Sequence, residues 1–199
     1  MENNGLRVFT RELIRLIMNI FFRPRYHGEN YPDSGSYIIC SNHFSILDIV
    51  FVIMRHKKRW VYFMAKSELY ESKAMAWFLN KMGAFPIKRG QSDIASIKRA
   101  VTLLKDGELV CIFAQGTRQK DDERLPARRG VAMLAALTQV PVIPVYIESK
   151  PKLFKRVNVY IGKPFDTKLN RKSSKEEIAD MSEIIMDRVY QLPEDLENK

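Results

Sequence analysis

The run CSNHFSILDIV, residues 40–50, sets His43 and Asp48 at the mouth of an apolar stretch. Buried ionisable groups are costly unless paired, so these two either satisfy each other as a structural pair or work together as a dyad. An imidazole suits general-base chemistry near neutral pH, and a carboxylate bonded to one ring nitrogen leaves the other available for a proton. Five residues on an ideal helix lie ~140° apart around the axis, so the pair needs His43 in a turn and Asp48 in the first turns of the helix that follows. Two further stretches are suited to an anion. GAFPIKRG, residues 83–90, runs a short strand into Lys88 and Arg89 just before a helix start, and cations beside a helix N-terminus suit a phosphate. FAQGTRQK, residues 113–120, ends a strand in Gly116, Thr117 and Arg118, which offer backbone N–H groups, a hydroxyl and a guanidinium in one turn. Each turn taken alone also fits an ordinary solvated loop.

These residues need elements to hold them. Strands are predicted at 37–41, 60–64, 84–87, 109–113, 142–147 and 157–161, and helices at 45–55, 67–80, 92–105, 128–138 and 174–191. In the helix at 92–105, Ser92 is the expected cap, Ile94, Ile97, Val101 and Leu104 form the stripe, and Gly107 follows the end. Strands alternating with helices of this length predict an α/β fold with a single, mostly parallel sheet flanked by helices. Ligands of such sheets collect beyond the carboxyl ends of the strands, where His43, Lys88, Arg89 and Gly116–Arg118 all fall. VPVIPVYI, residues 140–147, reads as a buried strand shaped by Pro141 and Pro144. The tail from Pro193 onward is expected to fray.

Residues 6–22 read as an amphipathic helix ended by Pro24, with Arg7, Arg11 and Arg15 making one basic ridge and Phe9, Leu13, Leu16, Ile17, Ile20 and Phe21 filling much of the rest. The pattern fits a helix packed on its own domain and equally one lying in a membrane interface. This divides the chain into an N-terminal helix, 1–24, and a domain at 25–199. No stretch reaches the ~18 uncharged apolar residues of a spanning helix, and the first apolar segment carries charges and no cleavage site, unlike a secretory signal. The formal net charge of +10 predicts an anionic partner. Nucleic acid is not expected, because no recognised motif is present and aromatics do not interleave the basic stretches. Cys40 and Cys111 lie in apolar runs and read as buried free thiols. His27, His43 and His56 are scattered, so no metal site is expected.

In order and interval the four stretches resemble the glycerolipid acyltransferase family that includes the 1-acylglycerol-3-phosphate acyltransferases. Asn42, His43 and Asp48 match its NHxxxxD motif, Gly83 to Arg89 its second motif, Gly116, Thr117 and Arg118 the end of its FPEGTR motif, and the strand around Pro144 its fourth. The resemblance covers roughly residues 25–165. Ala114 and Gln115 stand where the family usually has proline and glutamate, and glutamine keeps the size and one acceptor but loses the charge. The resemblance implies transfer of an acyl group from acyl-CoA or acyl carrier protein to a phosphorylated glycerol lipid, with no cofactor and no acyl-enzyme. It implies His43 as base with Asp48 as its orienter, and the acceptor phosphate on Arg89, Gly116, Thr117 and Arg118, with Lys88 in a lesser part. An acceptor and donor with long chains further imply a peripheral, monotopic protein on the cytoplasmic face of the cell membrane, drawn to anionic lipid.

Overall fold

Strictly alternating side chains sort the strands into two apolar faces, and each face is covered by helices. The computed structural model describes residues 4–56, 58–88, 93–119 and 124–198. In chain order the elements are α1 (Asn4–Phe21), β1 (Arg25–Gly28), β2 (Tyr37–Ser41), α2 (Asp48–Arg55), β3 (Val61–Lys66), a 3-10 turn at Ser67–Tyr70, α3 (Lys73–Lys81), β4 (Ala84–Ile87), α4 (Ile94–Lys105), β5 (Leu109–Phe113), α5 (Gly130–Thr138), β6 (Val142–Ile147), β7 (Asn158–Ile161) and α6 (Lys175–Glu197). The strands form one sheet in the order β1-β7-β6-β2-β5-β3-β4. All neighbours pair parallel except β6 and β7, so β1 and β7 run against the rest.

Along β2 and β5, Ile39, Leu109 and Cys111 point to one core with Met18 of α1, Phe51 and Val52 of α2 and Leu79 of α3. Ile38, Cys40 and Val110 point to the other, with Leu103 and Leu104 of α4, Ala132 and Ala135 of α5 and Ile185 and Met186 of α6. This is the period-two division expected of strands buried on both faces.

One local feature bears on the site. The ladder between β3 and β5 covers only Val61–Phe63 against Leu109–Cys111. Beyond it, Met64, Ala65 and Lys66 pair with β4, whereas Ile112 and Phe113 pair with β2. The sheet therefore forks at its carboxyl edge. Gly83 shapes the entry to β4: its φ is +81°, and a Cβ there would lie 2.3 Å from Trp60 Nε1, whose N–H donates to Met82 O at 2.9 Å. Only glycine meets both demands.

The structure corrects several expectations. Of the basic ridge of α1, Arg11 and Arg15 are turned inward: Arg11 is 7% exposed, Arg11 Nη1 reaches His56 O at 3.5 Å and Arg15 Nη2 donates to Met54 O at 2.7 Å. Those carbonyls belong to the C-terminal end of α2, where cations meet orphan acceptors and the negative pole of the helix dipole. The outward face of α1 is apolar instead, with Phe9 65%, Leu16 58% and Ile20 51% exposed. The helix expected from 67 begins as a 3-10 turn and resumes as α3 after Ser72, whose side chain accepts from Met75 N–H. Ser92 lies outside the described residues, and it is Asp93 that caps α4, accepting from Ser96 N–H at 3.0 Å. The tail does not fray at Pro193: α6 runs through it to Glu197, which accepts from the Tyr160 hydroxyl at 2.8 Å. Strand β1 lies in no predicted element.

Candidate active site

Strand β2 ends at Ser41, and the next residue carries the ladder further with its side chain. Asn42 is fully buried; its Nδ2 donates to Ile147 O and its Oδ1 accepts from Ile147 N–H, both at 2.8 Å. The amide thus imitates a strand partner for the end of β6 and frees the β2 backbone to turn toward α2. Sequence reasoning took Asn42 only as part of a motif. Its role becomes visible once the β2–β6 register is known.

That turn delivers His43. Its Nδ1 lies 2.8 Å from Asp48 Oδ2, and the same oxygen accepts from the N–H groups of Phe44 at 2.6 Å and Ser45 at 2.7 Å. An oxygen already receiving two N–H bonds acts purely as an acceptor, so Nδ1 carries the hydrogen, and in the neutral ring the lone pair lies on Nε2. Asp48 is the first residue of α2 and is fully buried. His43 is 7% exposed, its ring stacked on Phe113 at 4.0 Å between centroids and 15° between planes. The expected geometry, histidine in the turn and aspartate opening the helix, is what the fold delivers. Phe113 was not anticipated; only the β2–β5 pairing, Ser41 opposite Phe113, brings it beneath the imidazole.

The turn after β5 is fastened to the same point. Gln119 N–H donates to His43 O at 2.7 Å, so the segment bearing Gly116, Thr117 and Arg118 is tied to His43. Thr117 and Arg118 are exposed and Gly116 partly so. Gly116 has φ +65°, and a Cβ there would stand 2.7 Å from Arg128 Cδ. Arg128 itself donates from Nε to Gln115 O at 3.2 Å and from its backbone N–H to Ala114 O at 2.8 Å. Gln115 is 2% exposed, and its Nε2 donates to the Tyr190 hydroxyl at 2.8 Å, as Gln119 Nε2 does at 2.6 Å. Burial raises the Tyr190 phenol above its usual range, against the opposing effect of those two bonds. Gln115, one of the two residues that depart from the family pattern, is thus locked to α6 within the protein. Neither Arg128 nor Tyr190 was singled out in the sequence; Arg128 lies 13 residues and Tyr190 75 residues beyond Gln115.

Lys88 follows β4, exposed, with its N–H on Asp93 Oδ2 at 2.8 Å. The Asp93 carboxyl is held down at about 2, chiefly by the N–H groups of Lys88 and Ser96. Arg89 lies outside the described residues. Strand β4 is three places from β2, about 14 Å at the usual spacing. Between them, in the fork of the sheet, opens a cavity of about 280 Å³. Met64, Ile97, Phe113, Met133 and Leu134 give it apolar walls, and Lys88, Asp93 and Arg128 also line it. It thus reaches from the ring beneath His43 to the end of β4.

Cys40 and Cys111 are buried free thiols; burial pushes Cys40 up to about 12 and raises Cys111 as well, which keeps both protonated near neutral pH. Among the described residues no group of three or more His, Cys, Asp or Glu is placed to hold a metal ion.

The histidine–aspartate pair, the cationic turn tied to it and the adjoining apolar cavity lie together at one edge of the sheet. The family model described as Acyltransferase matches residues 23–148, well over half of the chain. The chain belongs to the acyltransferase family. It is 33% identical over 180 residues to the 1-acyl-sn-glycerol-3-phosphate acyltransferase of Bacillus subtilis (strain 168), covering 87% of each chain. It is 27% identical over 191 residues to the enzyme of that name from Streptococcus pneumoniae, covering 92% of this chain and 71% of the relative. Among solved structures it resembles the 1-acyl-sn-glycerophosphate acyltransferase PlsC of Thermotoga maritima, with a TM-score of 0.72, 27% identity and coverage of 97% of this chain and 84% of that one. The family expected from the four motifs is the family found.

Proposed function

We propose that this acyltransferase moves a fatty acyl group from acyl-CoA or acyl carrier protein to the free hydroxyl of 1-acylglycerol 3-phosphate, giving phosphatidic acid. The observation that supports this is the 2.8 Å contact between His43 Nδ1 and Asp48 Oδ2, because in the neutral ring it leaves the lone pair on Nε2 to act as base. Nε2 takes the hydroxyl proton as the oxygen attacks the thioester carbonyl, and Asp48 steadies the imidazolium that forms. When the tetrahedral intermediate collapses, the C–S bond breaks and the imidazolium returns the proton to the departing thiolate. Arg118, with the Gly116 and Thr117 amides, binds the acceptor phosphate, joined by Arg89 and more weakly by Lys88. This anchoring orients the hydroxyl and supplies several kcal/mol of the barrier. The cavity in the sheet fork, floored by Phe113, suits an acyl chain. The reaction as written calls for no cofactor.

The choice of acceptor is supported by the relatives described above, both 1-acyl-sn-glycerol-3-phosphate acyltransferases. Glycerol 3-phosphate and other lysolipids would use the same base and the same phosphate site. A matrix of labelled acyl donors against these acceptors, with His43→Ala as control, separates them. Transfer to 1-acylglycerol 3-phosphate alone is the expected result, and transfer that survives in the control removes the proposed base. A vesicle-binding protein with no turnover, indistinguishable from His43→Ala, would instead be a lipid-binding module.

The site is proposed to work at the cytoplasmic face of the cell membrane. Among the described residues no helix is long and apolar enough to cross a membrane, and the outward apolar face of α1 suits a helix lying in the interface. Deleting residues 1–24 is expected to abolish flotation with anionic vesicles; flotation left intact would end the anchor assignment.

A further inference from the structure

Residues 148–157 join β6 to β7, and their tip is SKPKLFKR. Leu153 is 59% and Phe154 62% exposed; Lys150, Lys152, Lys155 and Arg156, on either side of them, are also exposed. We propose that this turn is a second membrane-insertion element, whose Leu153 and Phe154 enter the apolar part of an anionic bilayer interface while the four cations collar them at the lipid phosphates. The inference rests on the membrane location proposed above and adds to α1 a segment far along the chain.

Three observations carry it. The first is backbone conformation. Phe154 has φ +60°, a region that disfavours side chains and suits an aromatic ring poorly. It is held there by its own N–H on Phe21 O at 2.7 Å and by Lys155 N–H on Lys152 O at 3.0 Å. A strained residue whose ring stays in water gains little by folding, and strain of this kind marks functional loops. The second is continuity. The Phe154 ring meets Phe21 at 5.6 Å between centroids, and Phe21 ends the helix on which Leu13, Leu16, Ile17 and Ile20 are exposed at helical spacing. The turn thus prolongs one apolar surface. The third is charge. In this segment only Glu148 opposes the four cations, and it accepts from Asn158 Nδ2 at 2.6 Å. Apolar insertion and a basic collar reinforce each other at an anionic surface.

The place of the turn gives it a use. It leaves β6 at Ile147, the residue clamped by Asn42 beside His43, so an inserted tip would hold the mouth of the site against the membrane from which a lipid acceptor arrives.

The test uses the full chain. Phe154→Cys offers one exposed thiol for an environment-sensitive fluorophore, since Cys40 and Cys111 are buried. Its emission should shift to the blue with phosphatidylcholine vesicles containing phosphatidylglycerol, and chain-labelled quenching lipid should quench it. In parallel, Leu153→Ser/Phe154→Gly is compared with Leu13→Ser/Ile17→Ser on α1. Glycine is at ease at positive φ, so the turn variant keeps its fold. Its vesicle partitioning should fall at least about tenfold, with turnover of a water-soluble short-chain acceptor unchanged. A parent that does not bind vesicles overturns both readings. Loss of binding in the α1 variant alone, or a probe that stays in water, overturns this inference and leaves α1 as anchor. Loss in the turn variant alone supports the turn and removes α1. Unchanged partitioning with a raised KM for acyl carrier protein would assign the turn to an acidic protein partner and overturn the proposal.

Discussion

Replacing Asp48 by asparagine should slow transfer without scrambling the site, and the reason lies in two backbone amides. Phe44 and Ser45 both donate to Oδ2, and only the oxygen of an asparagine amide can accept from them. That oxygen must therefore take the place of Oδ2, where it still accepts from His43 Nδ1–H. The tautomer survives, and the negative charge is lost. With charge centres about 4 Å apart and an effective dielectric near 20, the attraction between carboxylate and imidazolium is about 4 kcal/mol, or about a thousandfold in rate. The new NH2 group falls where Oδ1 now lies buried without a partner among the described residues, at about 1–3 kcal/mol of stability and a melting point lower by about 2–12 °C for a chain of this size. Steady-state kinetics beside His43→Ala, with calorimetry on both, checks this. Asp48→Asn should lie about a thousandfold below the parent yet above His43→Ala, with KM for the acceptor little changed. A parental rate would show that the charge is idle; a rate equal to that of His43→Ala, in a protein melting within the stated range, would show that the backbone amides do not preserve the tautomer.

Three other outcomes follow from contacts of the same kind. Asn42→Asp sets an oxygen against Ile147 O in a fully buried position, and chemical denaturation should read a loss of about 3–5 kcal/mol. Tyr190→Phe withdraws the acceptor shared by the Gln115 and Gln119 amides; stability should fall by about 1–3 kcal/mol, and the acceptor KM should rise more than kcat falls, because the loosened turn carries the proposed phosphate site. Asp93, with a folded pKa of about 2 against ~3.9 for a free carboxylate, stabilises the start of α4 above pH ~4 and loses that contribution as pH falls through about 2. An NMR titration of its carboxyl carbon should show the low midpoint, and a midpoint near 3.9 would contradict the bonds from Lys88 and Ser96.

The gathering of His43, Lys88 and the Gly116 turn at one edge was readable because strand–helix alternation fixes which end of a parallel sheet collects them. The orientation of α1 was not. Arginines at every fourth residue define a face, but periodicity does not say whether solvent or the carbonyls of α2 will receive it. Strand β1 escaped notice because RYHG is short, polar and at the sheet edge, and only its pairing with β7 makes it a strand. Pro193 reads as a breaker, yet Leu192 packs where a Cβ on Gly162 would stand and Leu196 beside Gly28, so tertiary contacts carry the helix past it. Within the site, the pairing of His43 with Asp48 was legible, whereas Asn42, Phe113, Arg128 and Tyr190 acquire roles only through register and tertiary packing.

The parting of β3 from β5 sets thermal robustness and capacity for a guest against each other. Zipping Met64 onto Ile112 would add backbone pairing and squeeze out the space beside Phe113. Mutations selected for heat tolerance alone should therefore drift toward shutting that gap, while those selected for turnover should prop it open. A chain caught between these pressures should be firmest when something fills the crevice.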